Sequence, residues 1–231
     1  MPLEMDAVVT AFGLHPEREG PGARWTGRVG GSDVTAIHIG MGPPLTRVAT
    51  RSLFAPDAAG PERVDHVMIA GICGGLTADL EVGTLVNPEL IVDHTSGATY
   101  RHTPPGDAPQ AGKLVTTEEA TLDHDLSLRF REEGFLGVDM ESATVGEVCE
   151  AHGCPWSVYR CIGDRFFDGL LDERVLALAH PDGSGDADAL AQLLASEPEM
   201  ADKLTRLAQE TALAARLAAE AAVRGCLALD T

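Results

Sequence analysis

The sequence predicts an α/β protein: a three-layer α/β/α sandwich around a mixed, partly barrel-like central sheet. Three observations predict it. Strand-length apolar runs alternate with helix-length segments and hairpins along the chain. Glycine-rich segments follow the strands that end at Ile39 and Ala70, and an acid, Asp164, follows the strand that ends at Ile162. No repeat, low-complexity tract or linker divides the 231 residues, so they read as one domain, residues 1–231. Ligands of α/β sheets bind at the carboxyl ends of strands, so these three ends point to one crevice.

The elements follow in order. Asp6 to Gly13 reads as a first buried strand, and Leu14 to Gly20 as a loop or short helix. Arg24 to Val29 and Asp33 to Ile39 flank Gly30-Gly31, a strong hairpin signal. Gly40 to Pro44 breaks the strand, and Leu45 to Phe54 reads as a helix. Val64 to Ala70 is an apolar strand that runs into a glycine loop, Gly71-Ile72-Cys73-Gly74-Gly75-Leu76. Thr84 to Val92 is a long β run, His94 to His102 a turn and short strand, and Pro104 to Gln110 a polar loop. Gly112 to Thr116 reads as a strand, Thr117 to Glu133 as a polar helix, and Gly134 to Val138 as a strand. Ala143 to His152 is helical, punctuated by Gly153 and Pro155. Trp156 to Ile162, aromatic and β-branched, is a strand. After a loop at His180 to Asp188 come a helix at Ala189 to Ala195 and a long Ala/Leu helix at Pro198 to Leu227. The small apolar stripe of that last helix packs on the sheet.

Bulk properties exclude several classes of partner. A formal net charge of -19 argues against nucleic acid, whose phosphates need neutralisation by Lys and Arg, and against an anionic membrane surface. No apolar stretch approaches the roughly 18 residues of a membrane span. The five cysteines show no CxxC or Cys/His metal spacing, and the first residues lack the basic start of a signal peptide. A reduced cytoplasmic protein is the simplest expectation.

The chemistry-bearing residues concentrate in VDMESATVGEVCEAHGCPWSVYRCIGD, Val138 to Asp164. A helix of about 12 residues spans roughly 18 Å, and a return strand of about six spans roughly 20 Å. The two lengths nearly cancel, which brings Asp164 back to the level of Glu141. Arg160, Ile162 and Asp164 share strand parity, so Arg160 and Asp164, about 13 Å apart, can bracket a ligand. Plain structural readings stand beside these: Glu141 as a favourable acid in a first helical turn, Arg160 as an edge charge, and Asp164 as a cap. The glycine loop with Cys73 and Gly74 allows close approach of a ligand to the backbone. It is neither GxGxxG nor a P-loop, which disfavours a dinucleotide or nucleoside triphosphate. Phe166 and Phe167 beside Asp168 suit a lid over an apolar substituent, or a core edge.

GICGGLTADLEVGTLV together with the Val138 to Asp164 stretch resembles the nucleoside phosphorylase/nucleosidase superfamily, and within it the methylthioadenosine/S-adenosylhomocysteine nucleosidases. The Met-Glu pair, the Arg and the Asp four residues after it carry the resemblance. It implies cleavage of the N-glycosidic bond of a purine nucleoside without metal or organic cofactor. On this basis Glu141 would accept the ribose 2′- and 3′-hydroxyls and Met140 would pack on the sugar. Asp164 would protonate the base at N7, which requires a carboxyl that keeps its proton near pH 7. Arg160 would sit beside the nucleophile.

The resemblance also implies a carboxylate base shortly after the first strand. Glu17 is the expected base, with Glu19 and His15 behind it. Ile72 stands where phosphorylases place a phosphate-binding Ser, which favours water over phosphate. Val115 and Leu114 are candidates for the purine contact. Tyr100 and His102 fall in the segment that reaches a neighbouring subunit's 5′ site, which implies a homodimer. Two other functions remain: a phosphate-dependent purine nucleoside phosphorylase, and a nucleoside-binding protein of the same fold without turnover.

Overall fold

The computed structural model describes residues 2–18, 23–55, 64–106, 109–180 and 182–229. Parts of the segments read above as the loops Leu14–Gly20, Pro104–Gln110 and His180–Asp188 lie outside the described residues.

A seven-stranded mixed sheet forms the centre, in the order β5-β10-β4-β9-β8-β6-β7. Its strands are β4 (Val67–Gly75), β5 (Leu85–Val86), β6 (Leu90–Asp93), β7 (Thr99–Tyr100), β8 (Lys113–Thr116), β9 (Phe135–Asp139) and β10 (Trp156–Arg165). β10 runs parallel to β4, and β8 runs parallel to both β6 and β9; β4 meets β9 antiparallel through Gly74 and Gly75 alone. A second, antiparallel sheet comprises β1 (His15–Arg18), β2 (Arg24–Val29) and β3 (Ser32–Ile37). The hairpin expected at Gly30-Gly31 joins β2 to β3, and Gly30 takes the positive φ of 60° that such a turn demands.

Alternation along β10 sorts its side chains to two faces. Trp156, Val158 and Ile162 join Ala143, Val145 and Cys149 of α4 (Ser142–Ala151), with α2 (Pro43–Ser52) outside it. Tyr159 and Cys161 face α7 (Met200–Ala228), whose alanines let the long helix lie close to the sheet. Gly225 marks the closest approach, since a Cβ there would fall on the Tyr159 hydroxyl. Gly225→Ala is expected to cost about 1–3 kcal/mol of unfolding free energy by overpacking, read as a lower denaturation midpoint with an unchanged m-value.

Several sequence expectations change. The segment Asp6 to Gly13 is not a strand but most of helix α1 (Pro2–Phe12). Its start signals are Pro2 and the first-turn acid Glu4, and its stop is Gly13 with φ 63°. The run Val8-Val9-Thr10 has strand propensity, but Val8, Val9, Ala11 and Phe12 pack into the cluster with Ala221, Ala222 and Cys226 of α7. Tertiary packing overrides local preference here. The glycine loop after Ala70 is instead a continuation of β4 to Gly75. The long β run at Thr84–Val92 breaks at Asn87-Pro88 into β5 and β6. The helix expected from Thr117 begins only at His124 (α3, His124–Glu132), where the Asp123 side chain accepts the Leu126 N–H at 3.0 Å. Residues 117–123 are therefore irregular and free to line a site.

Beyond β10 come a 3-10 turn at Phe166–Asp168, α5 (Glu173–Leu176) and α6 (Ala187–Ser196). No helix among the described residues is long and apolar enough to cross a membrane.

Candidate active site

A cavity of about 1030 Å³ opens at the carboxyl ends of β4, β9 and β10 and continues between β3 and β4. Among the described residues, the outer edge of β3 and the Val67–Cys73 stretch of β4 have no further strand partner.

Arg160 stands at the centre of the cavity's charged wall. It is 3% exposed and points from β10 at three carboxylates from three elements. Its Nε donates to Asp139 Oδ2 at 2.9 Å and its NH2 to Glu141 Oε2 at 2.7 Å, while NH1 lies 3.7 Å from Glu4 Oε1. Burial works against this guanidinium's charge, but the three carboxylates outweigh it and hold its pKa above the ordinary value. Gly71 of β4 pairs with Arg160, and a Cβ there would collide with Glu4 Oε1 and Arg160 NH1. The glycine is thus required by the ion cluster rather than by a turn.

Glu141 sits at the start of α4. Its second oxygen accepts the N–H of Gly42 at 3.0 Å, so it also ties the Gly40-Met41-Gly42 segment to the site. Burial raises the Glu141 carboxyl; Arg160 and the Gly42 N–H oppose this, Asp139 and Glu4 add to it, and the net shift is upward. Met140, beside it, lines the cavity with its methyl group close to Gly42.

Glu4 comes from the first turn of α1. Oε1 accepts the Ile72 N–H at 2.9 Å. Burial works to raise its carboxyl, but neighbouring positive charge, Arg160 included, and the Ile72 N–H outweigh burial and lower it.

Asp164 lines the same cavity further along β10. The β10–β4 register slips between Ile162 and Asp164, which leaves Gly163 as an extra, unpaired residue. Plain alternation does not describe this turn of strand: the bulge re-aims Asp164. Burial, with Asp168 and Glu210 adding like charge, raises the Asp164 carboxyl from 3.8 to about 7.

The cavity therefore holds an ionic end, with Arg160 among acids, and an end with a carboxyl poised to keep its proton at neutral pH. The sequence model described as Phosphorylase superfamily matches residues 1–133, more than half of the chain.

The chain belongs to the phosphorylase superfamily.

This superfamily member is similar to futalosine hydrolase of Streptomyces coelicolor, 29% identical over 191 residues, covering 70% of this chain and 80% of that protein. It is also similar to 5′-methylthioadenosine/S-adenosylhomocysteine nucleosidase of Chromohalobacter salexigens, 25% identical over 169 residues, covering 60% and 70%. Among solved structures, the Helicobacter pylori 5′-methylthioadenosine/S-adenosylhomocysteine nucleosidase superposes with a TM-score of 0.69 over 98% of this chain and 94% of that one, at 15% identity. The Neisseria meningitidis nucleosidase in complex with methylthio-immucillin-A gives 0.69 over 98% and 95%, at 16%. At such identities these two show the fold alone, with the mixed central sheet and flanking helices expected from the sequence.

The expected site residues divide. Asp164, Arg160, Met140, Glu141, Cys73, Gly74 and Phe166 all line the cavity. The Phe166 ring lies 4.8 Å from that of His124, which also lines the cavity. Glu17 does not reach the cavity: it lies on the exposed strand β1, as does His15. Glu19 lies outside the described residues. Val115 and Leu114 are buried instead in the core, Val115 against Leu76, Phe130 and Phe135, so neither offers a surface to a base. From the segment 117–123, Thr117, Ala120 and Thr121 line the cavity.

Tyr100 lies on β7 against Gly146 of α4, away from this chain's cavity. His102 is buried, its Nδ1 accepting the Val158 N–H at 3.2 Å and its Nε2 2.8 Å from Pro88 O.

Sequence reasoning missed Glu4, Asp139 and His124. Glu4 was detectable as an acid two residues past Pro2, a helix-start signal.

Proposed function

We propose that this chain is a nucleosidase that hydrolyses the N-glycosidic bond of a purine nucleoside. The observation that carries this reading is one cavity holding both a carboxyl with a pKa near 7, Asp164, and an arginine saturated by carboxylates, Arg160. The similarity to relatives named as nucleosidase and futalosine hydrolase supports it.

In this reading Asp164 gives its proton to N7 of the purine while the C1′–N9 bond breaks and positive charge develops on the sugar. Glu141, with two acceptor oxygens, takes the vicinal ribose hydroxyls, and Met140 packs beside the sugar. A water oxygen bonds to C1′, and the proton it loses passes to Glu4, which takes the role expected above for Glu17. Arg160 holds Glu4 and Glu141 in place. The acids around Arg160 favour a sugar that becomes cationic in the transition state.

Water is the favoured nucleophile. The guanidinium of Arg160 faces three carboxylates, so its charge is already matched, and a phosphate dianion would meet their repulsion. Ile72 offers no hydroxyl at that wall; its backbone N–H is taken by Glu4.

The experiment is incubation of the protein with methylthioadenosine, S-adenosylhomocysteine and futalosine, each with and without phosphate. Free base and free sugar, equal in both conditions, are expected for at least one substrate. Strict dependence on phosphate with sugar 1-phosphate as product would replace hydrolysis by phosphorolysis. Tight binding without base release would leave a binding protein.

A further inference from the structure

Three elements meet at Asp139, the last residue of β9, whose side chain is 1% exposed. Oδ1 accepts the Thr116 hydroxyl of β8 at 2.7 Å. Oδ2 accepts the Ser142 N–H of α4 at 3.1 Å, the Ser142 hydroxyl and, at 2.9 Å, Nε of Arg160 on β10. Thr116 Oγ1 accepts the Ala143 N–H in turn, at 2.9 Å. The Asp139 carbonyl accepts the Thr117 N–H at 2.9 Å, where the cavity's irregular wall begins.

A guanidinium is planar and rigid, so fixing Nε fixes the direction of both NH2 groups. Asp139 takes Nε; the other two nitrogens are thereby aimed at Glu141 and Glu4. The same carboxylate also caps the first turn of α4, which carries Glu141. It therefore sets both partners of the 2.7 Å Arg160–Glu141 pair from one point.

We propose that Asp139 is the positioning residue of this site: it orients Arg160 toward Glu4 and Glu141 and so governs activation of the nucleophile without touching the substrate. The proposal rests on the nucleosidase reading above and adds a residue to it.

A merely structural carboxylate would affect folding alone. A positioning carboxylate also affects ionisation, because the groups facing Glu141 are Arg160 from β10, Asp139 from β9, Glu4 from α1 and the Gly42 N–H. Asp139→Asn removes one negative charge from this set. It also releases the guanidinium, whose lowering influence on Glu141 is larger than the raising influence of Asp139; the Glu141 carboxyl then ionises less easily, and the acid limb of kcat/KM moves to higher pH by about one unit.

With Arg160 unanchored, kcat should fall about 100-fold, the scale of a misplacement of about 1 Å. Asp139→Glu restores the charge and should return kcat to within about tenfold, with the limb back in place. Equal losses in the two variants, or an unmoved limb in Asp139→Asn, would overturn the proposal. If Asp139→Asn does not accumulate, Thr116→Val frees Oδ1 while keeping the charge; it should lower kcat with the limb unmoved, and an unchanged kcat would count against the proposal.

Absence of base release by the wild-type protein would sink the nucleosidase reading instead. The crystal structure of Asp139→Asn tests the orientation independently of turnover: the guanidinium should leave Glu141, and a retained 2.7 Å pair would refute the assignment.

Discussion

Asp164→Asn is expected to lower the rate of base release by 10²- to 10⁴-fold, the range of a lost general acid, while nucleoside binding stays measurable by calorimetry. The side chain keeps its size and its place at the Gly163 bulge, so the loss isolates the proton. On the nucleosidase reading, the active form carries protonated Asp164. With its carboxyl raised to about 7, activity should fall about tenfold per pH unit above that point, because only the protonated fraction reacts. The acid limb should come from the carboxylates around Arg160, which must be ionised to hold the sugar and take the proton from water. Full activity of Asp164→Asn, or a rate that rises through pH 8, would exclude the assignment.

The same variant should be more stable than the wild type at alkaline pH. A folded-state pKa raised from 3.8 to about 7 means that Asp164 loses stability as pH rises through about 7. The cost at pH 8 is on the order of 4 kcal/mol at most, at 1.36 kcal/mol per unit. Asparagine carries no such cost. A higher denaturation midpoint for Asp164→Asn at pH 8, shrinking toward pH 5, is the expected signature of a residue kept for chemistry against stability.

The legible part of this site lay in one continuous stretch. Met140, Glu141, Arg160 and Asp164 are spaced by a helix and a returning strand whose lengths nearly cancel, and regular elements transmit such arithmetic faithfully. Irregular backbone does not. The bulge at Gly163 re-aims Asp164 by a register slip that strand alternation cannot anticipate. Val115 was expected at the base from the resemblance alone; on β8 its side chain is buried in the core, and irregular residues after Thr116 line the cavity.

The glycines at 71–75 read as a ligand loop. They are strand residues, and Gly71 is small because Glu4 and Arg160 occupy the space above it. That requirement depends on a residue 67 positions earlier, which no local pattern reports. The seven-stranded sheet was legible as a class, whereas the helical state of Pro2–Phe12 was hidden by three residues of strand propensity whose packing against α7 decides the matter.

The helical state of that segment is what brings Glu4 to the cavity wall. Were residues 6–13 a strand, alternation would send successive side chains to opposite faces, and the acid ahead of them would have no fixed direction. In α1 the first turn presents Glu4 to the Ile72 N–H and to Arg160. Glu4→Gln keeps an oxygen acceptor for the Ile72 N–H but removes the charge that takes the proton from water. It should therefore lower kcat by 10²- to 10⁴-fold with KM changed little. Fold stability should change less, since one acceptor survives.

Glu17→Gln, on exposed β1, should leave turnover near the wild-type value. The pair of variants separates the two carboxylates directly. Loss in Glu17→Gln with activity kept in Glu4→Gln would return the base to the strand β1. Loss in Glu4→Gln alone assigns it to the first turn of the chain's first helix. An added small nucleophile supplies the final check: azide needs no deprotonation, so it should rescue sugar transfer in Glu4→Gln and should not do so in Asp164→Asn, where the leaving base still lacks its proton.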